Sequence, residues 1–183
     1  SVASRSIAGL LLPHCTNSEL EGMLTIQAFY EVVHARTYSH IVKQTFADPN
    51  VMLKQTYEDV GVLLRSEAIV NAFDELENLP KNSPAEEKRK ILLKVMVALF
   101  ALEAIAFMSS FAVTFALAET GVFQGIGALV QKIALDEVLH ARMDHAVISI
   151  LLKDQEWKSA FEEIKPQLQE ILDAVVEQEV KWA

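Results

Sequence analysis

This chain of 183 residues is predicted to be all-α, a bundle of long helices that forms one domain. Glycine and proline, the residues that interrupt helices, number only 6 and 5 and fall mostly in a few short segments. Between these segments the sequence has no useful length of the alternating apolar and polar pattern that strands show. Apolar residues make up 51% of the chain, which is enough for a single sizeable core.

Two helices are expected before a proline-containing loop in the middle of the chain. Asn17 and Ser18 are both good N-caps, and Glu21 has capping-box spacing with Ser18, so the first helix should begin at about position 18. This helix should end at about Phe46. The second is expected from about position 51 to Leu76.

Three more helices are expected after the loop. Pro84 at a first helical position, followed by acidic residues, predicts a helix start that leads to about Glu119. A fourth helix is expected over about 123–152. The fifth should run from about Trp157 to the end, with a kink or break at Pro166, because proline lacks the N–H that a helix interior uses.

The composition argues against several classes of protein. The chain has 25 Asp+Glu against 16 Lys+Arg, and its net charge of −9 disfavours contact with nucleic-acid phosphates or an anionic membrane surface. Cys15 is the only cysteine, so an internal disulfide cannot form and a reducing, cytoplasmic location is expected. The stretch Ser1 to Pro13 makes a poor signal peptide.

The segment Val95–Ala118 is long and apolar enough to be considered as a membrane span. Its one charged residue, Glu103, stands near the middle, where a carboxylate costs roughly 2.5 to 3.5 kcal/mol on insertion scales. The other helices are amphipathic and rich in charge. We therefore interpret the segment as the central helix of a soluble bundle.

Two copies of the pattern Glu-x-x-His are the strongest chemical signal in the sequence. They are Glu31-Val-Val-His34 on the first helix and Glu137-Val-Leu-His140 on the fourth. Residues at this spacing lie on one helix face about one turn apart, so each pair can reach a single ion. Carboxylate oxygen together with imidazole nitrogen suits iron or manganese, and helix bundles hold two such ions between two of these pairs and further glutamates.

Glu103 is the candidate ligand from a third helix. An ionised carboxylate inside an apolar run is costly without a partner, and a metal ion would supply one. A single Glu-x-x-His arises easily by chance. Two copies with a buried glutamate between them favour a dinuclear carboxylate site.

Two more residues lie close to these pairs in the sequence. Tyr38 follows His34 by one helical turn, about 6 Å along the axis, which is in range for one-electron oxidation by a metal pair. The alternative for Tyr38 is a core aromatic. Asp136 directly precedes Glu137 and is a candidate hydrogen-bond partner of a ligand imidazole, the alternative being a solvated acid.

The strings that contain these residues resemble a known family over nearly the whole chain. They are Tyr30-Glu-Val-Val-His-Ala-Arg-Thr-Tyr-Ser-His-Ile41, Ala101-Leu-Glu-Ala-Ile-Ala-Phe107 with Ser110-Phe111, and Asp136-Glu-Val-Leu-His140. They are similar to the small, radical-generating subunit of class I ribonucleotide reductase. Such proteins use O₂ and two irons to oxidise a tyrosine, and pass the oxidising equivalent to a large subunit that reduces ribonucleotides. The resemblance implies a ferritin-like bundle with a dinuclear metal site in its core.

The resemblance also implies a role for each candidate residue. The metal ligands would be Glu31, His34, Glu103, Glu137 and His140. Tyr38 would carry the stable tyrosyl radical, and Asp136 would link the His34 imidazole to the radical-transfer route. The apolar pocket around the radical would be formed by Phe107, Phe111 and Ile133.

The family pattern has six ligands, and the first of them, an aspartate, would fall immediately before Ser1. We therefore expect 1–183 to be a single ferritin-like domain that lacks the family's N-terminal segment and C-terminal tail. A separate N-terminal piece that supplies the aspartate is our preferred hypothesis. The expected partners are the large subunit, this N-terminal piece and a second copy in a homodimer, whereas nucleic acid and membranes are not expected.

Alternative functions share the ligands or the fold. One is another ferritin-like di-metal oxidase or iron-storage protein in which Tyr38 carries no stable radical. A second is a metal-free fragment retained for assembly with a reductase. The ligand types leave the metal open, because two irons, manganese or a mixed pair all accept them.

Overall fold

The computed structural model describes residues 2–182, and all of their side chains except those of Val2 and Tyr57. The helices are α1 (Val2–Ser6), α2 (Ser18–Thr45), α3 (Pro49–Glu58), α4 (Val60–Glu77), α5 (Ala85–Ala101), α6 (Met108–Glu119), α7 (Gln124–Leu151) and α8 (Gln155–Trp182). Two π-helical segments, Ile7–Leu11 and Leu102–Ala106, and a 3₁₀ turn, Leu12–His14, accompany them. No strand occurs within 2–182, so the all-α prediction is confirmed.

Side-chain caps explain where several helices begin. Asn17, not Ser18, caps α2, because its side-chain oxygen accepts hydrogen bonds from the backbone N–H groups of Glu19 and Leu20, both at 3.0 Å. Pro84 is the N-cap residue of α5, which begins at Ala85, whereas the sequence predicted Pro84 at the first helical position.

Two predicted helices are each divided in the structure. The helix predicted over about 51–76 is two helices, because the chain turns at Asp59, whose carboxylate accepts from the N–H of Val62 and caps α4. The helix predicted from Pro84 to Glu119 is interrupted by the π-helical segment Leu102–Ala106. Neither division is marked by a glycine or a proline at the point of interruption.

A kink or a break was predicted at Pro166; the break is wrong, since α8 continues through this residue, and the kink stays a prediction. Ile164 and Leu168 on either side of the proline are buried against Leu93 and Val97 of α5. This packing holds the helix together where the proline removes one backbone hydrogen bond. Residues 2–14, for which no helix was predicted, are also helical, and Ile7 lies in the main core.

α5 is the central helix and packs against α4, α7 and α8. Its side chains Val95, Ala98 and Leu99 are fully buried. The continuous stretch Ala85–Glu119 is apolar and long enough to cross a membrane, but half of its most apolar part is buried among the other helices. Burial of this kind agrees with the interpretation of the segment as a core helix.

α6 and α7 approach each other closely beyond their connecting turn. Gly121 there has φ +87°, and Phe123 has φ 58°, so the turn uses two left-handed residues. A Cβ atom at Gly127 would lie 2.7 Å from the Cβ of Ala118, which only glycine avoids. This contact fixes α7 against the helix that follows Glu103.

Candidate metal centre

Four acidic and imidazole side chains converge inside the bundle. Glu31 of α2, Glu103 of the π-helical segment, and Glu137 and His140 of α7 each place a ligand atom within 4.8 Å of all the others. Glu103 is completely buried, and Glu31, the most accessible of the four, is only 6% exposed. A concentration of carboxylates at this depth requires a compensating positive charge.

His34 contacts this group from α2. Its Nδ1 lies 3.3 Å from Oε1 of Glu31 and 3.1 Å from Oε1 of Glu137. His140 is placed similarly, with Nδ1 3.0 Å from Oε2 of Glu137 and 3.6 Å from Oε2 of Glu103. Glu137 therefore lies between the two imidazoles and contacts both.

The local helical geometry explains the convergence. Within each Glu-x-x-His pair the two side chains meet across one turn, as the i,i+3 spacing predicts. α2 and α7 are in contact and turn these two faces toward each other. The π-helical segment Leu102–Ala106 brings the third carboxylate, Glu103, to the same point.

The carboxylates shift the pKa values of both imidazoles. Burial lowers the pKa of His34, but hydrogen bonds to Glu137, Glu31 and Asp136 outweigh it and raise the value to about 11. Burial also lowers the pKa of His140, while the carboxylates of Glu103 and Glu137 raise it to about 10. In the metal-free chain both imidazoles are therefore protonated at neutral pH.

The glutamates are shifted in opposite directions. Burial raises the pKa of Glu137, yet hydrogen bonds from His140 and His34 bring it down to about 2. Burial raises the pKa of Glu103 well above its usual range, and the negative charge of Glu137 adds to this. Glu103 is also held by Gln27, whose Nε2 donates to its Oε1 at 3.1 Å.

The residues of this group fit metal ions. Oε2 of Glu103 faces this group, is buried and makes no hydrogen bond to any residue that the structure describes. Three carboxylates and two imidazoles form a donor set of hard oxygen and borderline nitrogen that suits divalent transition metals. Metal binding would require the imidazoles to release their protons, so protons and metal compete for this site.

Asp136 lies on the outer side of the His34 imidazole. Its Oδ2 is 3.0 Å from Nε2 of His34, so the ring has carboxylates at both nitrogens. The side chain of Asp136 is 31% exposed, whereas that of His34 is 5% exposed. The pair therefore connects the buried group to the protein surface.

The residues predicted for the radical pocket lie partly together. Phe111 and Ile133 belong to one buried apolar cluster, and Phe107 packs against it with its ring 6.0 Å from that of Phe111. Ile41, one turn after Tyr38, packs against the same cluster. Tyr38 itself is 40% exposed, so the residues described here cover only part of its ring.

The carboxylates of the metal group affect the pKa of the Tyr38 phenol. Partial burial and the negative charges of Glu137 and Glu31 raise the pKa of Tyr38 to about 12. The phenol therefore keeps its proton at neutral pH.

Sequence reasoning missed two buried polar residues beside the site. Gln27 and Asp144 are both fully buried, and burial raises the pKa of Asp144 to about 7. Gln27 stands one helical turn before Glu31, and Asp144 stands one turn after His140. Continuing each Glu-x-x-His face by one turn would have identified both.

The chain is similar to known proteins along its whole length. The profile of the family described as ribonucleotide reductase, small chain, matches residues 1–183. Among curated proteins, ribonucleoside-diphosphate reductase 1 subunit beta of Escherichia coli O157:H7 is 30% identical over 204 aligned positions, which cover 100% of this chain and 54% of that protein. The subunit beta of Enterobacteria phage T4 is 25% identical, and the alignment covers 55% of it.

A solved structure shows the same fold. The ribonucleotide reductase R2 subunit from Clostridium botulinum superimposes with a TM-score of 0.87 at 26% identity, over 99% of this chain and 55% of that chain. The chain spans about half the length of the curated relatives it matches.

Proposed function

The chain belongs to the ribonucleotide reductase small-chain family, and from this premise we propose that it forms the metal-binding core of a class I small subunit. In this proposal the chain would hold two iron ions, which together with O₂ would supply the oxidising power for a radical on Tyr38. The large subunit then receives the oxidising equivalent and reduces ribonucleotides to deoxyribonucleotides. The observation that carries the proposal is the convergence of Glu31, Glu103, Glu137 and His140 within 4.8 Å in the core.

Five buried side chains would bind the metal ions. Glu31, His34, Glu103, Glu137 and His140 are the proposed ligands. Glu137 contacts both imidazoles and is therefore placed to serve both ions. Two bound iron ions, or manganese or a mixed pair, would supply the oxidising power that removes one electron from the phenol in the presence of O₂.

The protein would control the proton of Tyr38. Because the pKa of Tyr38 is about 12, oxidation by one electron must also release the phenolic proton from its oxygen. The apolar cluster with Phe111 and Ile133 would exclude water from one side of the ring. Excluding water and reductants is what allows an oxidised tyrosine to persist.

His34 and Asp136 would form the exit route for the oxidising equivalent. Nε2 of His34 is 3.0 Å from Oδ2 of Asp136, and Asp136 reaches the surface. A hydrogen bond between a ligand imidazole and a carboxylate fixes the orientation of the ring and couples it to a proton acceptor. A large subunit that docks near Asp136 would meet this end of the route.

We also propose that the site is completed by residues outside 1–183. The family resemblance implies a sixth ligand, an aspartate, and a separate N-terminal piece would supply it. A homodimer and a cytoplasmic location are further parts of the proposal, and family membership supports them. Docking to nucleic acid or membranes forms no part of the proposal.

Reconstitution tests the function. The purified chain is given Fe(II) and O₂, alone and together with a family N-terminal segment that ends in the aspartate. We expect two irons per chain and a tyrosyl signal in electron paramagnetic resonance from the combined sample. Tyr38→Phe should bind the same iron without the signal.

The other outcomes discriminate the alternatives. Bulk ferric mineral without a tyrosyl signal would indicate an iron-storage protein. Metal below about a tenth of an equivalent in the combined sample would indicate an assembly fragment, because an intact carboxylate site binds metal. Two irons and a full tyrosyl signal from the chain alone would refute the separate N-terminal piece.

A further inference from the structure

We propose that Arg65 and Glu179 are positioning residues: their ion pair fixes the helix interruption that carries Glu103 and Phe107. Neither residue belongs to the metal group, and they come from α4 and α8, which supply no proposed ligand. The inference rests on the proposed function, because it concerns how one of its ligands is held in place.

The guanidinium of Arg65 donates to three different groups at once. Its Nε donates to Oε1 of Glu179 at 2.7 Å, and its Nη2 donates to the carbonyl of Ala106 at 2.7 Å. Both terminal nitrogens lie within hydrogen-bonding distance of Oγ of Ser110, at 3.3 and 3.2 Å. The planar group also stacks on the ring of Trp182, 4.4 Å from its centroid.

Glu179 holds the other side of the same turn. It is 7% exposed, pairs with Arg65 and also accepts a hydrogen bond from the hydroxyl of Ser109. Through these two side chains, α4 and α8 bind Ala106, Ser109 and Ser110. Ala106 is the last residue of the π-helical segment, and Ser109 and Ser110 lie within one turn after it.

The helix needs such support at this turn. Phe107 has φ −104° and ψ −10°, and its N–H bonds to the carbonyl of Ile105 instead of one four residues back. Regular bonding resumes when the N–H of Phe111 donates to the carbonyl of Phe107 at 3.0 Å. Arg65 therefore binds the carbonyl directly before the irregular residue.

The positions of Glu103 and Phe107, which flank Ala106 in the sequence, depend on this turn. Glu103 precedes Ala106 by three residues, so its carboxylate is carried on the same segment. Phe107 follows Ala106 directly and packs against the apolar cluster that contains Phe111 and Ile133. Ligand orientation depends on residues behind the ligand, and their loss typically weakens metal binding about 10- to 100-fold.

A second ion pair in the same bundle provides a matched comparison. Nζ of Lys94 on α5 donates to Oε2 of Glu75 on α4 at 2.8 Å, and the Lys94 side chain is as covered as that of Arg65, each 18% exposed. This pair joins two regular helices and touches no interruption. The Glu75 side chain is more exposed than that of Glu179, 47% against 9%, so the pair serves as a control for the loss of an ion pair between helices.

The test replaces each pair by apolar residues of similar size. The double variant Arg65→Met/Glu179→Met removes both charges together, which avoids leaving one of them buried alone. Lys94→Met/Glu75→Met is the control. Co(II) is titrated into the metal-free 183-residue chain and followed by its visible absorption, and hydrogen exchange is measured over 102–111.

We expect the first double variant to bind Co(II) at least about tenfold more weakly, with an altered visible spectrum and faster exchange over 102–111. The control should match the unmodified chain in all three measurements. Affinity within about twofold of the unmodified chain, with unchanged spectrum and exchange, would overturn the proposal. An equal loss in the control would overturn it as well.

Arg65→Lys is the second variant. It tests the positioning role of Arg65 in case the double variant does not fold. Lysine keeps the charge but lacks the planar fork that reaches Glu179, Ala106 and Ser110 together. Faster exchange over 102–111 in Arg65→Lys supports the proposal, and unchanged exchange contradicts it. If the unmodified chain binds no Co(II) even together with the N-terminal segment that supplies the aspartate, the proposed metal function fails, and the exchange comparison still decides the positioning role.

Discussion

The two Glu-x-x-His pairs are identical as sequence patterns but lie in different surroundings. On α2, the outer nitrogen of His34 pairs with Asp136, whose side chain is 31% exposed. On α7, the outer nitrogen of His140 makes no hydrogen bond to any described residue, and Asp144 one turn further on is fully buried. The α2 half of the site therefore leads to the surface, and the α7 half is closed.

This difference assigns different tasks to two residues of the same type. A histidine with a carboxylate behind it that reaches solvent is suited to pass charge outward, which supports the proposed exit route through His34. A histidine enclosed with Glu103 is suited to hold an ion in a fixed place. Glu137 contacts both rings and joins the two halves.

The largest effect is expected where the halves meet. Glu137→Gln keeps the size of the side chain but removes the charge that faces both imidazolium groups, so we expect Mn(II) affinity to fall by more than about 100-fold. The metal-free variant should lose about 3–5 kcal/mol of unfolding free energy, since two buried cations lose their shared counter-charge. Metal titration and urea unfolding of chelator-treated protein measure the two effects.

The exposed residue Glu119 provides the control for this substitution. Glu119→Gln should change the unfolding free energy by less than about 0.5 kcal/mol. If Glu137→Gln loses less than about 1 kcal/mol, the two imidazoles do not depend on a shared carboxylate, and the halves are independent.

The α7 half offers a pH-dependent prediction through Asp144. The pKa of Asp144 is raised from 3.8 to about 7 by burial, so the folded chain favours its protonated form. Its ionisation therefore costs stability as the pH rises through this interval, and the full cost applies above about pH 7. Asp144→Asn cannot ionise and should stabilise the metal-free chain at pH 8 by up to about 4 kcal/mol.

At pH 3.5 the same variant should show almost no gain, because Asp144 is then protonated in both states. Urea unfolding at the two pH values measures the difference. The exposed residue Asp173 is the control, and Asp173→Asn should stay within about 0.5 kcal/mol at both. A gain that is equal at pH 3.5 and pH 8 would show that Asp144 does not carry a buried charge.

Features of the site that depend on a single helix could be predicted from the sequence. The Glu-x-x-His pairs follow from helical spacing, and Glu103 follows from its isolation in an apolar run. The interruption at Leu102–Ala106 could not be predicted, because no glycine or proline marks it and its bonds come from Arg65 on another helix. Contacts between helices distant in sequence have no local signature.

The same limit applies to the surroundings of the site. Asp59 divides a predicted helix because the chain turns there, although its residue type is unremarkable in a helix sequence. The 40% exposure of Tyr38 depends on which helices pack beside α2, and spacing along α2 cannot report that. Periodicity identifies a face, and only packing decides how far that face is covered.

In the α2 half, we expect a substitution of Asp136 to have a smaller effect on metal affinity. Asp136→Ala removes the acceptor behind His34 and leaves the Nδ1 contacts in place, so we expect about tenfold weaker binding of one ion and little change for the other. Stepwise titration with Co(II) resolves the two events. Asp74, exposed on α4, provides the control Asp74→Ala. Equal weakening of both events would mean that the halves act as one unit.

The smallest effect is expected from shortening one apolar side chain beside each half, by one carbon at Ile133 and by two at Val33. Ile133 on α7 is 3% exposed within the cluster that contains Phe111, and Ile133→Val should cost about 1 kcal/mol of unfolding free energy. Val33 on α2 is 38% exposed, and Val33→Ala should cost less than about 0.5 kcal/mol. Urea unfolding of the metal-free chain measures both. Equal costs would show that the α2 half is as well covered as the α7 half, and that the route through His34 does not reach an open surface.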